Sequence, residues 1–260
     1  MSSKRKEVFK KLVDPRFLVR LPSLIKYRLT RMVHEKLLFR FLTKENVFIS
    51  IFNSNYWGNA ESVSGPGSTL LQTLEIRRKM PIMFKEFNIH SVFDAPCGDA
   101  KWMWELIKDT DFKYVGADIV PQLIDNNRLN FQKDSVSFVK FDLTSDAFPD
   151  ADVWLCRAVL YHFSNRDIYL ALEKFLQSNI PYILTTNCVT DVGHLNKDIN
   201  TGDWRSLNLM LPPFNFPNDP LWEVDDCTPP HPPMKLSLWS RKQIIGIMPS
   251  LREIFQCKKL

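Results

Sequence analysis

The stretch from Ser91 to Trp104, SVFDAPCGDAKWMW, decides the fold of this 260-residue chain. An apolar pair, Val92 and Phe93, leads into Asp94, and the tight turn APCGDA follows. Beyond the turn, apolar residues recur at helical spacing from Trp102 onward. A strand, a close-approach turn and a helix form the first half of a nucleotide-type βαβ unit.

The same alternation continues toward the C-terminus. Strands are predicted at about 91–95, 113–118, 135–141, 152–157 and 181–186, and helices at about 101–108, 121–131 and 166–177. Strands separated by helices indicate an α/β fold with a mostly parallel central sheet flanked by helices and right-handed crossovers. A hairpin of 222–225 with 235–239 and a short helix at 241–247 are predicted to complete it.

The segment before the first strand contains a turn-rich stretch, 53–69, with Trp57 in it. Ser68 or Thr69 is placed to cap the next helix, whose apolar positions run from Leu70 to Phe87. Pro81 is expected to break this helix or to start a second one.

Positive charge is concentrated at the N-terminus. Residues 1–50 hold 13 Lys and Arg against 4 acidic residues, whereas the whole chain carries a formal charge of +5. We predict a basic helical extension over 1–50, with amphipathic helices between 21 and 42 that pack on the core or lie on a membrane surface. A solvated arm is the plainer interpretation; peripheral contact with a membrane or an anionic carrier is the alternative.

Composition favours a cytoplasmic setting. The five cysteines, at 97, 156, 188, 227 and 257, are scattered without a CxxC pair, which is typical of reduced thiols and predicts neither a disulfide framework nor a metal site. No apolar run is long enough to span a bilayer, and the basic N-terminus lacks the apolar core of a secretory signal.

Polar residues follow successive predicted strands, at Asp94, Asp118, Asp142 and Arg157. Ligands of open α/β sheets bind beyond the carboxyl ends of the strands. Asp118 is suited to accept both hydroxyls of a ribose, and Asp142 an adenine amino group with Leu143 stacking beside it. Helix capping would explain one such acid, but an adenosine-containing ligand explains three better.

Several motifs together resemble one enzyme family. They are SGPGSTLLQT, DAPCGDAKWM, YVGADIVPQLIDNN, a strand ending in CR followed by LYHFS, TTN, GDWRSLNL and PFNFP. Over roughly 50–240 the chain resembles the class I, Rossmann-like S-adenosylmethionine-dependent methyltransferases. More narrowly it resembles a subgroup associated with O-methylation of sugars in glycans and surface polysaccharides. It departs where Pro96 and Ala100 replace the usual glycines and where Ala158 replaces an acid.

The resemblance implies S-adenosylmethionine as cofactor and S-adenosylhomocysteine as product. The predicted cofactor-binding residues are Asp94, Ala95, Pro96, Cys97, Gly98, Trp102, Asp118, Ile119, Asp142, Leu143, Arg157, Trp57 and Ser68. A turn with few glycines suits a cofactor without phosphates. Arg157 is assigned to the cofactor carboxylate or to the acceptor, with a plain ion pair as the alternative.

Methylation of a hydroxyl needs a base that takes its proton. His162, just past the fourth strand, is the leading candidate, because imidazole titrates near neutral pH. Asp99 and Asp203 are alternatives, and a structural role for His162 stays open. The predicted acceptor-binding residues are Tyr161, Asn187, Asp203, Trp204, Arg205 and Asn208, which would otherwise belong to an ordered capping loop.

The sequence therefore predicts a methyltransferase domain over 51–260, with an acceptor-binding insertion at about 187–234. The predicted reaction is O-methylation of a sugar hydroxyl in a glycan, polysaccharide or glycolipid. A lipid, small-metabolite or RNA acceptor and a non-catalytic S-adenosylmethionine-binding module are the alternatives. RNA is disfavoured because the insertion is acidic; no nucleic acid partner is expected, and the oligomeric state is left open.

Overall fold

A computed structural model describes residues 42–256, apart from 58, 228 and 230. The chain splits into two units, residues 1–43 and 44–260, and the fold described below belongs to the second unit. The helices predicted between 21 and 42 lie outside the described residues, except for Leu42, as does most of the predicted basic extension.

The elements follow the predicted alternation closely. The helices are α1 (Lys44–Asn53), α2 (Leu74–Glu86), α3 (Lys101–Ile107), α4 (Pro121–Phe131), α5 (Asn165–Gln177) and α6 (Arg241–Gln256). The strands are β1 (Ser91–Asp94), β2 (Lys113–Asp118), β3 (Val136–Lys140), β4 (Val153–Cys156), β5 (Tyr182–Cys188), β6 (Trp222–Asp225) and β7 (Met234–Ser240). Two short 3₁₀ turns span Pro66–Ser68 and Leu160–His162.

The seven strands form one sheet in the order β3-β2-β1-β4-β5-β7-β6. The first five pair in parallel, whereas β7 runs antiparallel to both β5 and β6. The predicted Rossmann-like α/β fold with a mostly parallel sheet is confirmed, and so is the C-terminal hairpin.

The two faces of the sheet bury separate cores, because strand side chains alternate in direction. Phe93 and Trp154 point into a core that includes residues of α5 and α6. Val92 and Leu155, their neighbours in sequence, point into a core that includes residues of α2, α3 and α4. Both faces are therefore covered, as an all-parallel sheet segment requires.

Two helix boundaries differ from the predictions. α2 begins at Leu74 and continues through Pro81, and α6 continues through Pro249 to Gln256. A proline inside a helix removes one hydrogen bond, but an apolar face buried along the helix offsets that loss. Met80 and Met83 supply such a face in α2, and Met248 contributes one in α6.

The residues from 189 to 221, all of which the structure describes, contain neither helix nor strand. Backbone hydrogen bonds from Gly202 to the His162 carbonyl (2.8 Å) and from Arg205 to the Tyr161 carbonyl (3.2 Å) hold this segment against the residues after β4. Leu207 and Leu209 anchor it in the core.

The order in which strands are added to the sheet reverses at β1, since β2 and β3 lie on one side of it and β4 and β5 on the other. The carboxyl ends of β1 and β4 therefore flank the crevice in which such sheets bind ligands. None of the helices in the described part of the chain has the length and apolar composition needed to cross a membrane.

Gly116 of β2 offers a test of the packing between sheet and helices. A Cβ at this position would lie 2.6 Å from Cδ1 of Phe138 and 2.9 Å from Cε1 of Tyr114. We expect Gly116→Ala to lower the free energy of unfolding by about 1–3 kcal/mol through overpacking. Urea denaturation measures this change.

Gly246→Ala is the matched control, because Gly246 lies in α6 with no atom within 4 Å of an added Cβ. It should raise stability by about 0.5–1 kcal/mol through helix propensity. Equal stability of the two variants would show that the space around Gly116 is not tight.

Candidate functional site

The turn after β1 is fixed from two directions. Gly98 has a φ of +56°, and a Cβ there would lie 2.2 Å from Oγ of Ser64. The same Ser64 oxygen accepts a hydrogen bond from the Asp99 N–H (2.9 Å). The Cys97 N–H donates to the Ala117 carbonyl (2.8 Å). The absence of a side chain at Gly98 thus lets the loop before α2 close onto this turn.

Asp118, at the end of β2, holds the other side of the turn. Its Oδ2 accepts from the Gly98 N–H (3.1 Å) and its Oδ1 from the Val120 N–H (3.0 Å). Burial raises the pKa of Asp118 to about 6, although these N–H groups oppose the rise. Each carboxylate oxygen has a second lone pair, which leaves acceptors for two hydroxyl groups of a ligand.

Asp142 follows β3 and forms a small turn of its own. Its Oδ1 accepts from both the N–H and the Oγ1–H of Thr144 (2.8 Å each). Its Oδ2 lies 3.7 Å from the Lys44 ammonium, which also bonds the Thr144 hydroxyl and lies 3.5 Å from Asp167. The first residue of α1 therefore reaches across to the third strand end.

A cavity of about 370 Å³ lies along these strand ends. Most of the predicted cofactor-binding residues line it, namely Trp57, Ser68, Ala95, Pro96, Cys97, Gly98, Asp118, Ile119, Asp142, Leu143 and Arg157. His162, Tyr161 and Trp204, from the predicted catalytic and acceptor sets, line it as well. The cavity therefore brings together the strand ends and part of the acceptor segment.

His162 is held in one orientation. Its Nδ1 lies 2.8 Å from the Asp203 carbonyl, which can only accept, so Nδ1 carries the proton and Nε2 the lone pair. The ring contacts Trp57, with 4.5 Å between ring centroids. Burial and the nearby Arg205 charge lower the pKa of His162 to about 4, against the effect of the Asp203 carbonyl. The imidazole is therefore neutral throughout the physiological range.

Arg157 forms a buried ion pair. Its Nε donates to Oδ1 of Asp226 (2.7 Å), and its Nη2 donates to the Gly67 carbonyl (2.7 Å). The Thr186 hydroxyl donates to the other Asp226 oxygen (2.6 Å). The guanidinium also lies over the Trp102 ring, 5.3 Å from its centroid.

Three predicted residues from the end of β1, the turn after it and the start of α3 lie outside the cavity lining. Asp94 is buried and accepts from the Tyr114 hydroxyl (2.7 Å), and its burial raises its pKa to about 7. Trp102 packs beneath Arg157. Asp99 is also buried, which raises its pKa, while the Ser62 hydroxyl and Lys101 oppose that rise. All three lie behind the cavity wall.

The predicted acceptor residues are similarly divided. Asn187, Asp203, Arg205 and Asn208 lie outside the lining. Oδ1 of Asn187 accepts from the Leu209 N–H (2.6 Å), and Arg205 donates to the Phe163 carbonyl (2.6 Å). Asn208 donates to the Thr190 hydroxyl (3.0 Å). Their observed contacts hold the loop in place, while Tyr161 and Trp204 face the cavity.

Sequence reasoning missed several lining residues, including Lys44, Phe48, Ser64, Asp226 and Cys227. Asp226 follows the end of β6, and this position is the one signal in the sequence that could have pointed to it. Lys44 and Phe48 belong to a segment that the sequence assigns to the basic extension, so nothing local indicates their part in the cavity.

The central region of the chain is similar to a known protein family. Residues 92–178 match a family model described as a methyltransferase domain. The matched residues, which make up about a third of the chain, are similar to that family. They include β1 apart from Ser91, β2 to β4 and the whole of α5. A search of curated proteins finds no match.

Solved structures of similar fold are distant in sequence. Human N-acetylserotonin methyltransferase, in complex with S-adenosylmethionine, is 21% identical over 44% of this chain and 34% of its own, with a TM-score of 0.37. The methyltransferase domain of a bacterial Hen1, CtHen1, is 10% identical over 65% and 99%, with a TM-score of 0.47. TnmH is 14% identical over 63% and 53%, with a TM-score of 0.49. The matched region therefore spans only about a third of human N-acetylserotonin methyltransferase and about half of TnmH.

The residues in the cavity fit S-adenosylmethionine, the cofactor of this fold. The volume lies within the range of small-molecule sites, about 300–1,000 Å³. Asp118 would accept the two ribose hydroxyls, Asp142 would accept the adenine amino group, and Leu143 would lie beside the base. Among the described residues, no group of three or more His, Cys, Asp or Glu side chains could hold a metal ion.

Asp118 provides a test of the cofactor half of the site. We expect Asp118→Asn to weaken S-adenosylhomocysteine binding about ten- to a hundredfold, since charge-assisted hydrogen bonds contribute about 1.5–3 kcal/mol. Isothermal titration calorimetry measures the change. Asp125→Asn on the exposed face of α4 is the control and should bind like the wild type.

The raised pKa of Asp118 also predicts a pH dependence of binding that Asp118→Asn should reduce. Protonation below about pH 6 removes acceptor capacity, so the wild-type affinity should fall as the pH drops from 7 to 5. The fall should be much smaller in Asp118→Asn. A pH dependence that is the same in both proteins would place the titrating group elsewhere.

Proposed function

We propose that this protein is an S-adenosylmethionine-dependent O-methyltransferase that acts on a sugar hydroxyl of a glycan, polysaccharide or glycolipid. The observation that carries this proposal is the locked imidazole of His162 at the wall of the cofactor cavity. Its Nδ1–H is bound by the Asp203 carbonyl, so its Nε2 is an acceptor for the proton of an approaching hydroxyl.

S-adenosylmethionine, when bound, supplies a methyl group activated on a sulfonium. The protein must then exclude water, orient the acceptor oxygen and remove its proton. His162 is buried, so its base is screened from bulk water. Because its pKa is about 4, the ring is a weak base that is always available at neutral pH. Proton removal by this ring would accompany bond formation rather than precede it.

Aromatic rings next to His162 support a sugar as acceptor. Trp57 lies against the imidazole, and Tyr161 contacts both His162 (4.6 Å between ring centroids) and Trp204 (6.4 Å). Trp204 is 50% exposed although it lines the cavity. Such a ring offers a broad apolar face at low entropic cost, and the CH face of a pyranose stacks on it.

The charge of the acceptor segment argues against RNA. Asp191, Asp198, Asp219, Glu223 and Asp225 are exposed, whereas Arg205 is buried in hydrogen bonds to the protein. Within the described part of 187–227, Lys197 is the one exposed cation. An acidic surface on this segment repels phosphates. It suits a neutral sugar better. We also propose that the basic N-terminal segment contacts a membrane or an anionic carrier.

The acceptor can be identified directly. Purified protein is incubated with methyl-labelled S-adenosylmethionine and with separate panels of defined glycans, lipids, small metabolites and RNA, and the label is located by mass spectrometry. We expect label on a sugar oxygen. Label on another class of acceptor would overturn the proposal, and cofactor binding without any transfer would favour a non-catalytic module.

The role of His162 has its own test. We expect His162→Ala to lower turnover by about 10²–10⁴-fold while calorimetric binding of S-adenosylhomocysteine changes little. His90→Ala is the control, since His90 is an exposed histidine bonded to Asn88. Because His162 protonates only near pH 4, activity lost between pH 7 and 5 should not trace to this residue. Unchanged turnover in His162→Ala would mean that the ring is structural.

A further inference from the structure

The two ends of the cavity differ in chemistry. Asp142 and Asp118 follow β3 and β2, whereas Arg157 follows β4, on the far side of β1. Neighbouring strands lie about 4.8 Å apart, so three strand spacings, roughly 14 Å, separate the ends of β3 and β4. With adenosine held by the acids, Arg157 would face the amino-acid part of the cofactor.

Arg157 is held at this end by contacts from separate parts of the chain. Asp226, after β6, takes the Nε–H, and Gly67, in the loop before α2, takes one Nη2–H. Trp102 of α3 supports the face of the guanidinium. A guanidinium has five N–H donors in a fixed plane, so binding two of them sets the direction of the others.

The remaining N–H donors of Arg157 lie beside the Cys227 thiol, which is a weak hydrogen-bond acceptor. Cys227 lines the cavity next to Asp226, and its burial raises the pKa of its thiol to about 11, so the sulfur is neutral. A neutral thiol is a poor acceptor. A carboxylate that enters the cavity would therefore be preferred by the same N–H groups.

The Arg157–Asp226 ion pair has a high desolvation free energy, which is unfavourable for a contact that serves stability alone. The Arg157 and Asp226 side chains are 4% and 1% exposed. Desolvating both charges costs several kcal/mol, and well-packed apolar residues often replace such pairs without loss of stability. Asp226 is further fixed by the Thr186 hydroxyl from β5. A pair that is buried, doubly anchored and at a cavity wall is better explained by a ligand than by stability.

We propose that Asp226 is a positioning residue. It orients Arg157 so that the guanidinium binds the carboxylate of the methionine part of S-adenosylmethionine. This inference rests on the cofactor and is independent of which acceptor is methylated.

The experiment compares two probes by calorimetry. S-adenosylhomocysteine contains the carboxylate, whereas 5′-methylthioadenosine keeps the adenosine and the sulfur but lacks the amino-acid part. We expect Asp226→Asn to weaken S-adenosylhomocysteine binding about ten- to a hundredfold. Its affinity for 5′-methylthioadenosine should stay within about twofold of the wild-type value. Asp225→Asn, an exposed neighbour, is the control and should leave both affinities unchanged.

A second variant guards against misfolding, because Asp226→Asn leaves a buried charge. The apolar double variant Arg157→Met with Asp226→Leu removes both charges and should show the same selective loss. Equal weakening of both probes, or no loss for S-adenosylhomocysteine, would overturn the inference. If the wild type bound neither probe, the cofactor assignment would fall too. If Asp226→Asn loses affinity for S-adenosylhomocysteine alone and the wild type transfers no methyl group to sugars, only the proposed function is contradicted.

Discussion

The hydrogen bonds from Gly98 and Val120 to the Asp118 carboxylate are the interaction on which the site depends. They join the turn after β1 to the start of the segment after β2, at the place where the sheet reverses its order. Because Gly98 has no Cβ, Ser64 can reach the same turn from the other side. One carboxylate thus fixes the floor of the cavity and presents its remaining lone pairs to a ligand.

The wall of the cavity comes from α1 and the segment after β5. Lys44 links the Asp142 turn to Asp167 at the start of α5, and Asp167 accepts from the Thr201 hydroxyl (2.5 Å) in the long loop. Phe48 of α1 packs against Phe163, 6.0 Å between ring centroids. The third strand end and the long loop are therefore connected through the same few side chains.

Buried charge is distributed unevenly along this cavity. Asp94 and Asp118 have raised pKa values because burial disfavours their ionised forms, while Arg157 is compensated by Asp226. His162 is kept neutral by the same desolvation. A cationic sulfonium is compatible with nearby carboxylates, and a neutral imidazole does not repel it. The electrostatics of the cavity are thus compatible with a cationic cofactor.

The sequence by itself determined the strands, the order of the elements and the positions of the strand-end residues, because side-chain periodicity and the order of elements constrain a parallel sheet strongly. It did not determine that α2 and α6 continue through Pro81 and Pro249. Gly98, Asp118, Asp142 and His162, which the sequence predicts as site residues, all line the cavity. Only the tertiary structure decided that Asp94 and Trp102 lie behind the wall, and that Lys44 and Asp226 belong to it. The ion pairs of Lys44 and Asp226 join residues 123 and 69 positions apart, and such pairings leave no local pattern. They depend on which side chains the folded sheet brings to one edge.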